Sequence, residues 1–219
     1  MKKTVLIILV ISLALCFGSA CTKKPDNGGT SKELSTAAPD DISPDTTNES
    51  SAEHPRVLVT MENGGKFTIE LYPEYAPKTV ENFLALVEDG FYDGTVFHRV
   101  MDNFMAQGGA PKNDVNGGSA KTIKGEFAAN GFAQNTLSHT RGVISMARGE
   151  DNDSASSQFF ICYSDTCAYL DGQYAAFGKV IKGMNVVDAF LDVERQPNAR
   201  GEMASPVEPI VVKSMTVVN

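Results

Sequence analysis

The stretch that decides the fold is RVLVTMENGGKFTIELY, residues 56–72. In its second half Phe67, Ile69 and Leu71 are separated by single polar residues, which is the period of a strand with one buried face. The first half is a short apolar run, and MENGG joins the two. The Asn-Gly pair at 63–64 favours a tight hairpin turn with positive φ at both residues. The stretch therefore predicts two antiparallel strands.

Further strands and two helices are predicted after this hairpin. Two segments have the period of a helix, residues 77–90 and residues 183–193. Most gaps between the strands are too short for the crossover helices of a parallel sheet. We therefore predict an antiparallel sheet of eight strands, closed into a barrel because closure removes exposed edges. The six strand candidates after the hairpin are TVFHRV (95–100), FMAQG (104–108), GVISMA (142–147), QFFIC (158–162), AAFGKV (175–180) and IVVKSMTVV (210–218).

The N-terminus has the features of an export signal. Residues 1–20 begin with two lysines, continue with an apolar run at 5–15 and end in small residues, as a secretory signal peptide does. The apolar run of about 11 residues is shorter than the roughly 20 that a spanning helix needs. Cys21 follows directly, and FGSAC resembles the lipobox of bacterial lipoproteins, in which this cysteine is lipidated. Gly18 departs from that pattern, so cleavage without lipidation stays open.

Residues 21–54 form the next distinct segment. They are rich in Ser, Thr, Pro, Asp and Asn and contain almost no large apolar residues. Such a segment cannot bury enough surface to offset the entropy of ordering, so we predict a disordered tether. A flexible chain of this length reaches roughly 30 Å. We expect an extracytoplasmic protein anchored to the cell membrane by lipid at Cys21, or a secreted or periplasmic protein if no lipid is added.

The remaining residues, 55–219, are enough for one domain with a sizeable core. They contain 14 basic and 20 acidic residues, so we expect no nucleic-acid partner. Cys162 and Cys167 could oxidise outside the cytoplasm, but their spacing alone leaves a disulfide open.

The chain has three histidines, His54, His98 and His139. They lie far apart and have no neighbouring cysteine pairs, which argues against a metal site. We expect His98 to support its strand through a hydrogen bond and His139 to lie in a loop.

The chemistry of the domain is concentrated in FHRVMDNFMAQGG, residues 97–109. This stretch combines one permanent cation, Arg99, with a neutral amide, Gln107, and bulky apolar residues. It contains no serine or cysteine nucleophile and no pair of acidic residues. Taken alone, Arg99 would be interpreted as a surface ion-pair residue, and Phe104 and Met105 as core residues.

Three segments in order carry a resemblance to one family: residues 97–109, GVISMARGEDNDSASSQFFI (142–161) and YLDGQYAAFGKVIKGMNVVD (169–188). They resemble the signature blocks of cyclophilins, the cyclosporin-binding class of peptidyl-prolyl cis-trans isomerases. The resemblance covers nearly all of residues 56–219. It implies a mainly β fold, a closed eight-stranded antiparallel β-barrel capped by two α-helices, in agreement with the strand count. It also implies an isomerase that needs no cofactor.

The resemblance also implies roles for individual residues. Arg99 matches the catalytic arginine, which donates a hydrogen bond to the prolyl nitrogen. The implied partners are proline-containing segments of exported client proteins, and we expect the domain to act as a monomer. The matched substrate-binding residues are Phe104, Met105, Phe160 and Leu170 in an apolar proline pocket, Gln107 and Gln158 on its polar wall, Ala147 and Arg148 beside the substrate backbone, and Tyr169 and Tyr174.

Four residues depart from the well-studied eukaryotic cyclophilins. Arg148 stands in place of asparagine, and Tyr174 in place of a pocket histidine. Tyr169 stands where those proteins have the tryptophan that contacts cyclosporin, so we expect weak inhibition by that drug. Asn103 replaces the glycine before the Phe-Met pair, and asparagine tolerates a left-handed backbone better than most residues.

A different class of function stays open, a surface-tethered module that binds proline-containing segments without turnover. The same pocket would serve both, but only an enzyme would accelerate proline-limited refolding at substoichiometric amounts. Arg99 and Gln107 favour the enzyme. We therefore predict a peptidyl-prolyl cis-trans isomerase that assists the folding of exported proteins.

Overall fold

The computed structural model describes residues 54–111, 116–119 and 121–218. The predicted signal peptide (1–20), Cys21 and the tether up to residue 53 lie outside the described residues.

The described residues form eleven strands and two α-helices, α1 (Pro77–Glu88) and α2 (Met184–Asp188). Three 3-10 segments occur at Ala128–Asn130, Asp165–Leu170 and Ala189–Asp192, the last of which continues α2. The strands are β1 (Arg56–Met61), β2 (Lys66–Leu71), β3 (Val96–Phe97), β4 (Arg99–Val100), β5 (Met105–Gly108), β6 (Val143–Met146), β7 (Phe159–Cys162), β8 (Ala176–Lys182), β9 (Arg195–Pro197), β10 (Met203–Pro206) and β11 (Ile210–Val218).

The main sheet closes on itself. Its strand order is β3-β11-β1-β2-β8-β6-β7-β5-β4, and only His98 separates β3 from β4. The first and last strands are therefore two halves of one segment, residues 96–100. Every neighbouring pair is antiparallel. Counting the interrupted segment once gives eight strands, and the predicted mainly β, eight-stranded antiparallel barrel is confirmed.

The hairpin of β1 and β2 forms as predicted, but its turn differs. Val57 pairs with Ile69 and Val59 with Phe67, and all four are buried. Of the two turn residues only Gly64 has a positive φ, of 86°, so the prediction of positive φ at both was wrong. The connection spans residues 62–65, and longer hairpin loops need only one left-handed residue after a regular turn.

Helix α1 packs its apolar face against the inside of the barrel. The ring of Phe83 lies 5.6 Å from that of Phe159 and 5.1 Å from that of Phe177, between ring centroids. Aromatic pairs at such distances add to the free energy of burial. The first turn of α1 is fixed by the buried Glu126 carboxylate, which accepts hydrogen bonds from the backbone N–H groups of Lys78 (3.0 Å) and Thr79 (2.8 Å). An anion at this end complements the helix dipole.

Strands β9 and β10 form a separate two-stranded sheet that the sequence analysis did not predict. The intervening segment, NARGE at 198–202, is polar, and neither strand has the alternation of large apolar residues that marks a half-buried strand. We call residues 195–206 the β9–β10 hairpin. It contributes directly to the candidate site.

The close approach of β8 to β2 gives a test of the barrel packing. A Cβ added at Gly178 would lie 2.4 Å from the backbone oxygen of Glu70, and β8 is held between β2 and β6. We expect Gly178→Ala to lower the free energy of unfolding by about 2 kcal/mol, as overpacking does. Denaturant-induced unfolding measures the change.

Gly64→Ala is the matched control for this prediction. Its Cβ would meet nothing within 4 Å, so only its left-handed φ opposes the change, at a cost of about 1 kcal/mol. Equal losses for the two variants would contradict the packing argument.

Candidate active site

The strand register brings three predicted site residues into one row. Arg99 on β4 pairs with Gln107 on β5, and Gln107 pairs with Phe160 on β7. Residues that pair directly in a sheet project from the same face. Their neighbours Ala106, Phe159 and Val100 are buried in the main core. The row therefore lies on the outer face of the barrel.

The break at His98 is what places Arg99 in this row. Phe97 and Val100 are both buried in the main core, although they are three residues apart. In an unbroken strand, residues two apart share a face, and Arg99 would then share the inner face of Phe97. The break shifts the alternation of inward and outward side chains by one residue and directs the guanidinium outward.

A second apolar cluster lies on this outer face. We call it the outer cluster, and it is separate from the main core because alternate residues of β5 and β7 project to opposite faces. Tyr169 is 61% exposed, and its ring lies 6.0 Å from that of Phe104. The outer cluster comprises Met105, Phe160, Cys162, Cys167 and Leu170, with Met101, Phe104, Ala147 and Tyr174 packed against it.

Asn103 precedes the outer cluster in a left-handed turn. Its φ is 57°, and it is the single non-glycine residue with positive φ in the described part of the chain. Asparagine tolerates this left-handed conformation better than most residues. The turn lets the backbone N–H of Phe104 bond to the Met101 carbonyl (3.2 Å).

A polar cavity of about 400 Å³ adjoins the outer cluster. Along its wall Gln107 Nε2 donates to Gln158 Oε1 at 2.8 Å, and Gln158 Nε2 donates to the Gly117 carbonyl at 2.6 Å. The predicted site residues are thus brought together, some in the cavity lining and the others in or beside the outer cluster. Those in the lining are Arg99, Gln107, Ala147, Arg148 and Gln158.

Arg148 lies over two aromatic rings at the cavity. Its guanidinium carbon lies 5.1 Å from the ring centroid of Phe127 and 4.8 Å from that of Tyr174. Its Nε donates to the Gln173 carbonyl at 3.2 Å. Stacking of this kind suits the planar guanidinium. Arg148 therefore forms a rigid, positively charged edge beside Ala147.

Arg99 binds a carboxylate that the sequence analysis missed. Its Nε donates to Glu202 Oε2 and its Nη2 to Glu202 Oε1, both at 2.8 Å. Asn198 Nδ2 donates to Oε2 as well, at 2.7 Å. Hydrogen bonds from Arg99 and Asn198 lower the pKa of Glu202 to about 2. Glu202 is 103 residues from Arg99 in the chain, so no local pattern could have paired them.

His139 supports the outer cluster from beneath, and the prediction of a loop role understated it. Its ring is buried and lies nearly parallel to Phe160, 6.1 Å away with a 15° angle. Its Nδ1 is 2.7 Å from Asp171 Oδ1, and its Nε2 is 2.9 Å from Ser145 Oγ. The arrangement resembles an acid–histidine–serine triad, but Ser145 is 0% exposed. It holds the ring of Phe160 and offers no nucleophile to a substrate.

His98 lies in the lining of the cavity. Its backbone N–H donates to the Gln107 carbonyl at 3.0 Å, which keeps the interrupted segment attached to β5. This bond comes from the backbone and does not depend on the histidine side chain, so the expected role of His98 stays a prediction. Its ring atom Nδ1 is buried and has no partner among the described residues.

Both cysteines of the domain are free and buried. Cys167 Sγ donates to the Phe104 carbonyl at 3.1 Å. Burial raises the pKa of Cys162 far above its usual range. In this structure the two cysteines are thus free thiols within the outer cluster, and no disulfide joins them.

The described residues contain no group of three or more His, Cys, Asp or Glu side chains placed to hold a metal ion. Within the same residues no helix has the length and apolar character needed to cross a membrane.

Comparisons with known proteins identify the family. The family model described as cyclophilin type peptidyl-prolyl cis-trans isomerase/CLD matches residues 56–217. The chain belongs to the cyclophilin-type peptidyl-prolyl cis-trans isomerases. This cyclophilin is 42% identical over 168 residues to peptidyl-prolyl cis-trans isomerase A of Dickeya dadantii (strain 3937). The alignment covers 74% of this chain and 84% of that protein. It is 40% identical over 164 residues to an isomerase of Streptomyces antibioticus, covering 71% and 94% respectively.

Solved structures agree with this assignment. A cyclophilin-type isomerase of Cryptosporidium parvum superimposes with a TM-score of 0.65 at 28% identity, covering 76% of this chain and 98% of that one. A second structure of that protein was determined in the presence of the dipeptide Ala-Pro. The predicted family, fold and peptidyl-prolyl isomerase activity are confirmed. This cyclophilin catalyses cis-trans rotation about X–Pro peptide bonds.

Burial of His139 makes the stability of this cyclophilin depend on pH. Burial lowers the pKa of His139, and Asp171 offsets this only in part. The unfolded chain takes up a proton near pH 6.5, whereas the folded protein does so only at lower pH. The stabilisation is therefore complete above about pH 6.5 and is lost as the pH falls through the lower, folded-state value.

We expect the free energy of unfolding to fall between pH 7 and pH 5, and to fall less steeply in His139→Gln. Urea unfolding at several pH values measures the slope. His98, whose pKa burial also lowers, keeps part of the slope in both proteins. An unchanged slope in His139→Gln would contradict the argument.

Proposed function

We propose that Arg99 is the catalytic residue of an extracytoplasmic, lipid-anchored isomerase that assists the folding of exported proteins. One observation carries the assignment of Arg99. Its guanidinium lies beside the outer cluster, with its carbon 5.8 Å from the ring centroid of Phe104. A fixed donor and an apolar socket for a proline ring thus share one surface.

The reaction needs this combination. Rotation about an X–Pro bond is slow because it disrupts amide resonance, with a barrier of about 18–20 kcal/mol. At the twisted midpoint the prolyl nitrogen regains a localised lone pair that can accept a hydrogen bond. A donor that binds this state more strongly than the planar states lowers the barrier. A guanidinium has five N–H donors and no acceptor, so Arg99 can only donate.

We call the outer cluster and the adjoining polar cavity together the groove. Its other residues bind and orient the peptide in this proposal. The proline ring is received by Phe104, Met105, Phe160 and Leu170, since all four side chains belong to the outer cluster. Gln107 steadies Arg99, because its Oε1 lies 3.4 Å from Nη1, and it contacts the substrate carbonyl. The backbone at Ala147 and Arg148 runs alongside the substrate chain. The Cryptosporidium parvum structure determined in the presence of Ala-Pro supports a proline-containing ligand.

The location of the enzyme is proposed from its N-terminal sequence. Residues 1–20 direct export, Cys21 carries the lipid, and residues 21–54 tether the domain. The clients are then exported proteins whose folding waits on proline isomerisation, and the domain acts on them as a monomer. The mass of the native N-terminus tests the anchor. A free, unmodified Cys21, or an N-terminus elsewhere, would contradict it.

We expect Arg99→Ala to lower kcat/KM for a proline peptide by a factor of ten or more, because the transition state loses its donor. A protease-coupled peptide assay measures the rate. Arg56→Ala is the matched control, since Arg56 also makes a two-bond pair with a glutamate, Glu70, at 2.9 and 2.8 Å. Equal activity of Arg99→Ala and the parent would remove the proposed role.

We expect cyclosporin to inhibit this cyclophilin weakly, because Tyr169 replaces the tryptophan that contacts the drug in relatives. Tyr169→Trp should bind cyclosporin more tightly, since Tyr169 is exposed beside Phe104 and leaves room for the larger ring. Inhibition constants for the two proteins measure the difference. Tight inhibition of the parent would contradict the expectation.

A further inference from the structure

The β9–β10 hairpin delivers a carboxylate to the side of Arg99 that faces away from Gln107. Glu202 takes the Nε–Nη2 edge of the guanidinium through two hydrogen bonds of 2.8 Å. The side chains are only 17% and 27% exposed. Two-bond pairs of arginine and carboxylate combine strength with a defined orientation.

The pair decides which donors of Arg99 remain for a substrate. A guanidinium has five N–H groups, and Glu202 occupies one on Nε and one on Nη2. Gln107 accepts weakly from Nη1, at 3.4 Å. Among the described residues no further acceptor binds the Nη1–Nη2 edge, which therefore keeps donors for a substrate. Glu202 thus holds the guanidinium by one edge and leaves the other edge to the groove.

Glu202 is itself fixed by its own hairpin. Asn198 Nδ2 donates to Glu202 Oε2 at 2.7 Å, and the Asn198 side-chain oxygen accepts from the backbone N–H of Glu202 at 3.0 Å. The backbone N–H of Asn198 also donates to the Glu202 carbonyl at 2.9 Å. One asparagine therefore locks both the backbone and the carboxylate of Glu202.

The hairpin is attached to the barrel next to Arg99. Arg195 Nη1 donates to the Val100 carbonyl at 3.3 Å and to Asp102 Oδ1 at 3.0 Å. At the same base of the hairpin, the Val207 N–H donates to the Glu194 carbonyl at 2.8 Å and joins its two ends. The base is thus closed and tied to the barrel through Arg195, which gives Glu202 a defined place relative to β4.

We propose that Glu202 is a positioning residue for the catalytic arginine, and that the β9–β10 hairpin completes the active site by supplying it. The proposal rests on the proposed role of Arg99. An arginine side chain loses considerable rotamer freedom when it is held in one conformation. Glu202 holds it before the substrate arrives, so the hydrogen bond to the prolyl nitrogen forms without that loss.

The test compares Glu202→Gln with Glu70→Gln. Both changes remove one negative charge from an arginine–glutamate pair with two hydrogen bonds. Glu70, however, accepts both bonds from Arg56 through one oxygen, Oε2, and lies on β2, which pairs with neither β4, β5 nor β7. A glutamine at 202 can accept from only one of the two donors and presents its own N–H₂ to the other. We expect kcat/KM to fall about tenfold in Glu202→Gln, mainly through kcat, and less than twofold in Glu70→Gln.

A double-mutant cycle separates positioning from a direct effect. If Glu202 acts through Arg99, Glu202→Gln will cause no further loss in an Arg99→Ala background. A further tenfold loss in that background would overturn the proposal. Asn198→Ala leaves the carboxylate in place but removes its support, and we expect it to lower kcat about threefold. This variant tests the same effect if Glu202→Gln folds poorly. Thermal unfolding of each variant shows that the fold is kept.

The outcomes also distinguish this proposal from the one it rests on. An inactive Arg99→Ala together with a fully active Glu202→Gln would overturn the positioning role and leave the role of Arg99 standing. A fully active Arg99→Ala would overturn both. A loss in Glu202→Gln that appears only as a higher KM would assign Glu202 to substrate binding and overturn positioning.

Discussion

The pairing register of β4, β5 and β7 is the constraint on which the groove depends. Direct pairing of Arg99 with Gln107, and of Gln107 with Phe160, puts a cation, an amide and an aromatic ring side by side on one face. A shift of one residue would turn each of them to the opposite face. The barrel holds this register, because β5 and β7 are each paired on both sides and β4 is paired with β5. The backbone ladder thus sets the order of the groove.

The inner and outer faces of the sheet formed by β4, β5 and β7 have different functions. The inner face carries Phe159 and other rings of the main core, whereas the outer face carries the outer cluster. Rotation about an X–Pro bond breaks no covalent bond, so the site needs a rigid shape and a fixed donor rather than a nucleophile. A close-packed interior resists deformation. Rigidity of the core therefore serves the chemistry on the outside of the barrel.

Polar contacts beneath and beside the groove add a second level of order. His139, between Asp171 and Ser145, lies under Phe160, and Glu202 lies beside Arg99. His139 and Ser145 are buried, and buried polar groups need hydrogen-bond partners, which restricts them to few arrangements. They fix side chains that the strand register alone would leave free to change rotamer. Strand pairing thus sets the positions of the groove residues, and these polar contacts fix the rotamers of Phe160 and Arg99.

The sequence by itself determined the elements that repeat with a regular period: the 56–72 hairpin, helix α1 and the strands of the barrel. It also determined the candidate site residues, because three ordered motifs carry the family resemblance. Only the tertiary structure decided the phase change at His98, the β9–β10 hairpin and the pairing of Arg99 with Glu202. Periodicity is a local property of the chain, whereas these features depend on contacts between residues far apart in sequence. A polar hairpin and a lone glutamate have no local pattern, and their place is set by the surfaces they meet.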